Sequence, residues 1–308
     1  MSPAPGAPAS MQDMTVVPDR VFAPAKVNLF LHVGPAREDG RHPLDSLVVF
    51  ADENGADHLI FSAADHFRLD VTGVGAEAAG PLADNLVLRA VRALVAEVPS
   101  LPRYAITLDK RLPVAAGLGG GSSDAGAVLR TLGAVAGLGA PALMDMAAQL
   151  GGDVPACVLS RACRMQDDGA QVHPIAGLPE LPALLVNPMI ACPTGPVFAA
   201  FDKLDLGRRA LGALDCPIPT DWTETTELID WLSAATSNDL EGPACASIPE
   251  IGTVLETLRA LPAARLVRMS GSGASCFALF ETTVAAKAAR DELERLAPHW
   301  WARVTQLR

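Results

Sequence analysis

The sequence predicts an α+β protein of two domains, and three observations carry that expectation. The chain has 308 residues, half of them apolar, enough for two hydrophobic cores. Alternating apolar runs and longer runs of helical period follow one another without strict βαβ order, which disfavours a doubly wound parallel sheet. A polar, Gly- and Pro-containing stretch over residues 160–182 is the weakest joint. The expected organisation is therefore a tail at 1–18, a first domain at 19–165 and a second at 166–308.

The first 18 residues, MSPAPGAPASMQDMTVVP, lack both a basic start and an apolar core, so a disordered tail is expected rather than a signal peptide. VFAPAKVNLFLHVG (21–34) reads as two strands broken at Pro24, and AREDGRH (36–42) as a turn around Asp39-Gly40. LDSLVVFADE (44–53), HLIFSAA (58–64) and HFRLDVTG (66–73) alternate like strands. DNLVLRAVRALVAEV (84–98) is a helix with Leu86, Ala90, Ala93 and Leu94 on one face and Asp84 as its expected N-cap. A strand over 103–114 leads into a Gly-rich loop, and helices are expected over 122–138, 141–151 and from 153. ALLVNPM (183–189) reads as a buried strand. Helices are expected within 193–204, 225–234 and 248–262, then a strand pair around MSGSGAS and a final helix over 284–297.

A net charge of −11 argues against a broad nucleic-acid or anionic-membrane surface, though not against an anionic small ligand held in one pocket. Cys157, Cys163, Cys192, Cys216, Cys245 and Cys276 are scattered without CxxC spacing or nearby histidine pairs, so neither a zinc site nor a disulfide framework is expected. With no apolar stretch of membrane-spanning length, the expectation is a cytoplasmic protein without membrane or nucleic-acid partners, monomer or homodimer.

PVAAGLGGGSSDAGAVLR (113–130) is where the chemistry concentrates. A P-loop needs a lysine after its second glycine; here Ser122 stands five residues after Gly117 and no lysine follows. A dinucleotide turn needs G-x-G-x-x-G, and Ser122 also fails that count, which argues against an oxidoreductase. Gly117, Gly119, Gly120 and Gly121 nevertheless let the backbone turn sharply and bring N–H groups close to a ligand. Ser122 and Ser123 stand where a helix starts, adding unpaired donors at the positive end of its dipole. The pattern suits a triphosphate held without a lysine in the loop.

This block closely resembles the nucleotide loop of the GHMP kinases. APAKVNLFLHV (23–33) and MSGSGASCFALF (269–280) resemble the N- and C-terminal motifs of that superfamily, in the expected order. Further blocks, namely EDGRHPLDSLVVF, ADNLVLRA, DKRLP, GGDVPACV, PTGPVF and SNDLE, resemble the member that phosphorylates a methylerythritol unit carried on cytidine diphosphate, in isoprenoid precursor synthesis. The resemblance covers nearly the whole chain after residue 20. It implies the two-domain GHMP kinase fold, with an N-terminal ATP-binding α/β domain and a C-terminal ferredoxin-like α/β sandwich.

The resemblance also implies roles for particular residues. The reaction would be ATP-dependent phosphorylation of the 2-hydroxyl, with Mg²⁺, though no metal ligand can be matched. Asp153 would accept the hydroxyl proton, and Lys26 would stabilise the developing charge. Pro113, Val114, Ala115, Ala116, Gly117, Leu118, Gly119, Gly120, Gly121, Ser122 and Ser123 would hold ATP, with Asn85 and Lys110 at adenine or ribose. Asp124 would support the helix start or lie near Mg²⁺. Asn28, two residues after Lys26 on the same strand face, would bind substrate beside the reacting hydroxyl. His42 would bind cytosine. Arg41 stands where an aromatic ring is common in the family; it would stack or meet the diphosphate, with Phe198 supplying a ring from the other side. Thr194, Gly271, Ser272 and Gly273 would close the substrate site. A different GHMP kinase would share the three superfamily blocks but not the member-specific ones, and retention of Lys26 and Asp153 speaks against a regulator without catalysis.

Overall fold

Three four-stranded sheets organise the computed structural model, which describes residues 17–80, 82–204 and 216–308. All but the last two residues of the expected tail therefore lie outside the described residues. Strand β1 (Val21–Pro24) pairs with β4 (Ala56–Ala63), while β2 (Lys26–Val33) pairs with β3 (Leu44–Phe50) in a different sheet. The expected break at Pro24 is the point where the chain changes sheet.

The first sheet is completed by β6 (Tyr104–Asp109) and β5 (Arg68–Thr72), ordered β1-β4-β6-β5. β5 and β6 are parallel, so their connection must cross over, and helix α1 (Leu86–Glu97) does so. The N-cap of α1 is Asn85, whose side chain accepts from Val87 N–H, and not the expected Asp84, which ends the preceding 3₁₀ turn. Helices α1, α2 (Gly120–Val135) and α3 (Ala140–Leu150) bury Val87, Leu94, Val128 and Leu132 against Leu59, Ile106 and Leu108 of the sheet. At Gly126, α2 meets the short helix α4 (Val154–Leu159) backbone to backbone; a Cβ there would lie 2.7 Å from the Cys157 carbonyl carbon. That contact fixes where Asp153, just ahead of α4, can reach.

The second sheet, β2-β3-β7-β8, includes a hairpin of β7 (Cys163–Asp167) and β8 (Gln171–Pro174) inside the stretch expected to be a joint. Pairing of β7 with β3 keeps the chain in this sheet past residues 165/166.

The third sheet has order β10 (Leu266–Met269), β11 (Cys276–Leu279), β9 (Leu181–Asn187), β12 (Trp301–Leu307), antiparallel throughout. This is ferredoxin-like topology, as expected. One face packs under helices α5 (Thr194–Lys203), α7 (Glu241–Ser247), α8 (Pro249–Ala260) and α9 (Thr283–Leu296). The other buries Leu185, Phe277 and Leu279 against Val27, Leu29 and Leu47 of the second sheet and against helix α6 (Thr225–Ala235). Covered on both sides, β9 is buried along its whole length, which explains its continuous apolar run. Strand β12 was not expected from the sequence. It pairs with β9 over seven residues and returns the C-terminus to the first half, where Arg308 N–H donates to the Phe50 carbonyl.

Buried Arg268 on β10 donates to the Leu29 carbonyl of β2 and to the Leu232 and Thr236 carbonyls at the end of α6. One side chain thereby locks three elements together across the two halves.

Candidate active site

The Gly-rich loop crosses the junction between the halves. Leu118 is buried and pins the loop, and its carbonyl accepts from Lys26 N–H at 2.8 Å. Gly117 (φ 74°) lies against the loop between β10 and β11; a Cβ there would come within 2.2 Å of the Ser270 carbonyl oxygen. Gly119 (φ 60°) is the N-cap of α2 and passes over the Lys26 side chain, where a Cβ would sit 3.2 Å from Lys26 Cβ. Helix α2 opens at Gly120, two residues before the expected start. Its first intrahelical bond is Ser123 N–H to the Gly119 carbonyl, so the N–H groups before it are left for a ligand. The Ser123 hydroxyl is not among those donors to a ligand: it is buried and donates to the Pro24 carbonyl at 2.7 Å. Ser122 faces the cleft.

Below the loop, Lys26 Nζ lies 2.7 Å from Asp153 Oδ1. Lys26 is buried and Asp153 is 40% exposed, so the pair has one dry and one open end. Asp153 occupies the N-cap position of α4 but makes no capping bond; its carboxylate turns to Lys26 instead. Asn28 is buried two residues along β2. Its Nδ2 donates to Ser46 Oγ at 2.8 Å, and its backbone N–H donates to Ser270 Oγ, which in turn donates to the Gly117 carbonyl. Asn28 Oδ1 is buried and has no partner. A buried acceptor without a donor is costly and marks a place where a ligand donor fits.

Lys26, Asn28, Asp153 and the loop residues Ala115–Gly117 and Gly119–Ser122 line one cleft of about 360 Å³ with Thr194, Phe198, Gly271 and Ser272. Thr194 Oγ1 and Ser272 Oγ are 2.9 Å apart, joining α5 to the β10–β11 loop. Asn238 holds that loop by donating to the Met269 and Gly271 carbonyls, and Glu241 accepts from Met269 N–H. Both come from the SNDLE block, to which the sequence assigned no role; Ser46 and Ser270 also lie inside blocks that carry the resemblance, but no role was assigned to either. Gly273 turns away from the cleft, toward Met269 and Ile251.

His42 does not line the cleft. Its Nδ1 is 2.8 Å from the Gly34 carbonyl, its Nε2 is 3.4 Å from Asp202 Oδ1, and its ring packs 5.0 Å from that of Phe198. It thus backs the aromatic wall. Arg41 is 66% exposed and pairs with Asp168 at 2.8 Å, outside the cleft.

A second pocket, about 200 Å³, opens across the loop between Asp84, Asn85, Lys110, Pro113, Val114 and Asp124. Lys110 reaches it, but its ammonium is held between Asp57 and Asp124, all three buried. Burial works to lower the Lys110 pKa, yet the two carboxylates outweigh it and raise it. Asp57 also accepts from the N–H groups of Arg111 and Leu112, bracing the strand end before the loop. Asp124 Oδ1 has no partner. Burial pushes Asp124 up to about 7 against the pull of Lys110, with Asp57 adding to the rise. Among the described residues no three His, Cys, Asp or Glu side chains converge as a metal site, and no helix is long and apolar enough to cross a membrane.

A strand-fed glycine loop opening a helix, facing an ion pair across a two-domain junction, defines a class of small-molecule kinase. Residues 85–161 match the GHMP kinases N terminal domain and residues 221–299 the GHMP kinases C terminal. The chain belongs to the GHMP kinases, which use ATP. It is 45% identical over 288 residues to the 4-diphosphocytidyl-2-C-methyl-D-erythritol kinase of Hyphomonas neptunium, covering 93% of this chain and 95% of that one. With the kinase of the same name from Rhodopseudomonas palustris it shares 45% identity over 302 residues, 96% of this chain and all of the other. A crystal structure of 4-(cytidine 5'-diphospho)-2C-methyl-D-erythritol kinase superposes with a TM-score of 0.72 at 34% identity, covering 93% of this chain and 98% of that one. Within the GHMP kinases the chain therefore belongs to the 4-diphosphocytidyl-2-C-methyl-D-erythritol kinase family. Homoserine kinase from Cytophaga hutchinsonii, at 15% identity and a TM-score of 0.61, shares the fold.

Proposed function

We propose that the chain transfers the γ-phosphoryl group of ATP to the 2-hydroxyl of 4-diphosphocytidyl-2-C-methyl-D-erythritol, on the methylerythritol phosphate route to isoprenoid precursors. The observation that carries the chemistry is the Lys26–Asp153 pair at the floor of the cleft under the glycine loop.

The triphosphate lies on the loop N–H groups and the start of α2, and the base occupies the pocket beside Asn85, Pro113 and Val114. Lys110 shapes that pocket from within its carboxylate pair. Asp153, open to the cleft, takes the proton of the 2-hydroxyl as its oxygen attacks the γ-phosphorus and ADP leaves; the proton then passes to solvent. Lys26 orients that carboxylate and faces the negative charge on the transferring group. Asn28 Oδ1 accepts from a substrate hydroxyl next to the one that reacts. Phe198, backed by His42, offers its face to cytosine, and Thr194 with Ser272 closes the diphosphate end.

Mg²⁺ fits this arrangement as an ion carried on the triphosphate. The Asp153 carboxylate and the Ser122 hydroxyl, which both line the cleft, would hold it there, and the ion would neutralise charge on the triphosphate.

The assay is ADP release with ATP, Mg²⁺ and the cytidine-linked alcohol, run beside homoserine and mevalonate. Turnover is expected with the first alone; release only with the other two would leave the class standing and remove the substrate.

A further inference from the structure

A third opening, about 450 Å³, lies away from the cleft, where β12, α9, the Asp52–Asn54 turn and Arg111 meet. Four cationic side chains line it: Arg111, Lys287, Arg290 and Arg303. Its two carboxylates are already engaged. Asp52 accepts from Asn54 N–H, Thr305 Oγ1 and Gln306 N–H, which docks the C-terminal strand. Asp291 pairs with Arg290, as does Glu294. Arg111, Lys287 and Arg303 have no carboxylate within ion-pair distance among the described residues. Arg111 donates to His58, whose pKa is lowered by burial and by that neighbouring guanidinium. Arg303 lies over the Trp301 ring and donates to the Ala302 carbonyl, and burial, Arg111 and Arg290 lower its pKa against the opposing pull of Glu294.

Four cations against two lining carboxylates in one small concavity, on a chain of net charge −11, leave a local excess of positive charge. Two planar guanidinium forks and an ammonium suit phosphate oxygens better than a single carboxylate, and three cationic groups offer donors enough for more than one phosphate. The volume suits a small molecule rather than a polymer. We propose that this cleft binds a diphosphate-bearing small molecule, at a site distinct from the ATP loop. Arg111 connects the two: its N–H is held by Asp57 Oδ1, its carbonyl accepts from Trp301 Nε1, and Lys110 precedes it.

The test is hydrogen–deuterium exchange on the full chain with inorganic pyrophosphate, and separately with inorganic phosphate. Saturable protection of peptides spanning 283–306 is expected, at lower concentrations for pyrophosphate than for phosphate. Lys287→Glu with Arg303→Gln should weaken that protection by about tenfold or more while kinase turnover is retained. Should the double variant lose its fold, Lys287→Glu alone, at an exposed position, makes the same comparison. Protection confined to 113–123, or a change under about twofold in the variant, overturns the proposal.

Discussion

Lys26 Nζ sits 2.7 Å from Asp153 Oδ1, although 127 residues separate the two in the chain. Gly126 lets α2 and α4 pack at backbone contact, and this places Asp153, just ahead of α4, within reach of the Lys26 side chain. Lys26 is buried, so losing its partner strands a charge, whereas losing the lysine leaves a carboxylate still open to water. Asp153→Ala is expected to lower kcat by about a hundredfold to ten-thousandfold while the ATP dissociation constant moves by no more than a few-fold. Single-turnover kinetics with a separate nucleotide-binding measurement distinguish the two; an unchanged kcat removes Asp153 as the proton acceptor.

Asn28 Oδ1 is buried without a donor, and a substrate hydroxyl would satisfy it. Asn28→Ala should reduce kcat/KM for the alcohol by about tenfold to a hundredfold and leave the KM for ATP near its original value. Equal losses for both substrates would make Asn28 a structural residue, acting through Ser46 and Ser270.

Gly117 and Gly121 belong to the same loop but carry different constraints. Gly117 has φ 74° and a Cβ site 2.2 Å from the Ser270 carbonyl; at Gly121 the nearest atom to an added Cβ is Leu86 Cδ1 at 3.7 Å. Gly117→Ala is expected to cost about 2–4 kcal/mol in stability, and Gly121→Ala under about 1 kcal/mol. Denaturant titration of both variants checks this, and similar losses at the two positions would contradict the packing argument.

Asp124 carries a pH dependence. Its carboxyl is raised from 3.8 to about 7, chiefly by burial, so the folded protein keeps a proton that the unfolded chain has already released. Between about pH 4 and pH 7 the folded state therefore binds more protons, and the contribution of this group to stability falls as pH rises through that window. Asp124→Asn removes the titration. The stability of the variant relative to the parent should rise as pH is raised from 4 to 8. A stability difference that stays flat with pH would refute the assignment.

Most of the helices and strands were legible because their signals are short-ranged. Period-two and helical spacing, Gly151 after α3 and Pro24 between strands act within a few residues of themselves. Asp84 and Asn85 show the limit: either can cap, and only the 3₁₀ turn that takes in Asp84 leaves the cap to Asn85. Strand β12 was missed because WARVTQL alternates weakly and is made a strand by β9. The hairpin of β7 and β8 was hidden for the same reason, its polar face being open to solvent.

The sequence by itself determined the class of chemistry. A run of glycines before a helix, without a lysine, admits a phosphate cradle through backbone N–H groups alone, and the blocks around it carry the family. Tertiary structure decided which polar side chains remain available to a ligand. Lys110, expected at adenine or ribose, is held by Asp57 and Asp124; Ser123, expected among the loop donors, gives its hydroxyl to Pro24; Arg41, expected to stack or meet the diphosphate, pairs with Asp168 on the surface. Asn28 kept a buried acceptor open beside the Lys26–Asp153 pair. The physical reason is that a residue's type sets what it can bond, while its partners arrive from distant parts of the chain, and burial then determines which of its bonding groups water can no longer satisfy.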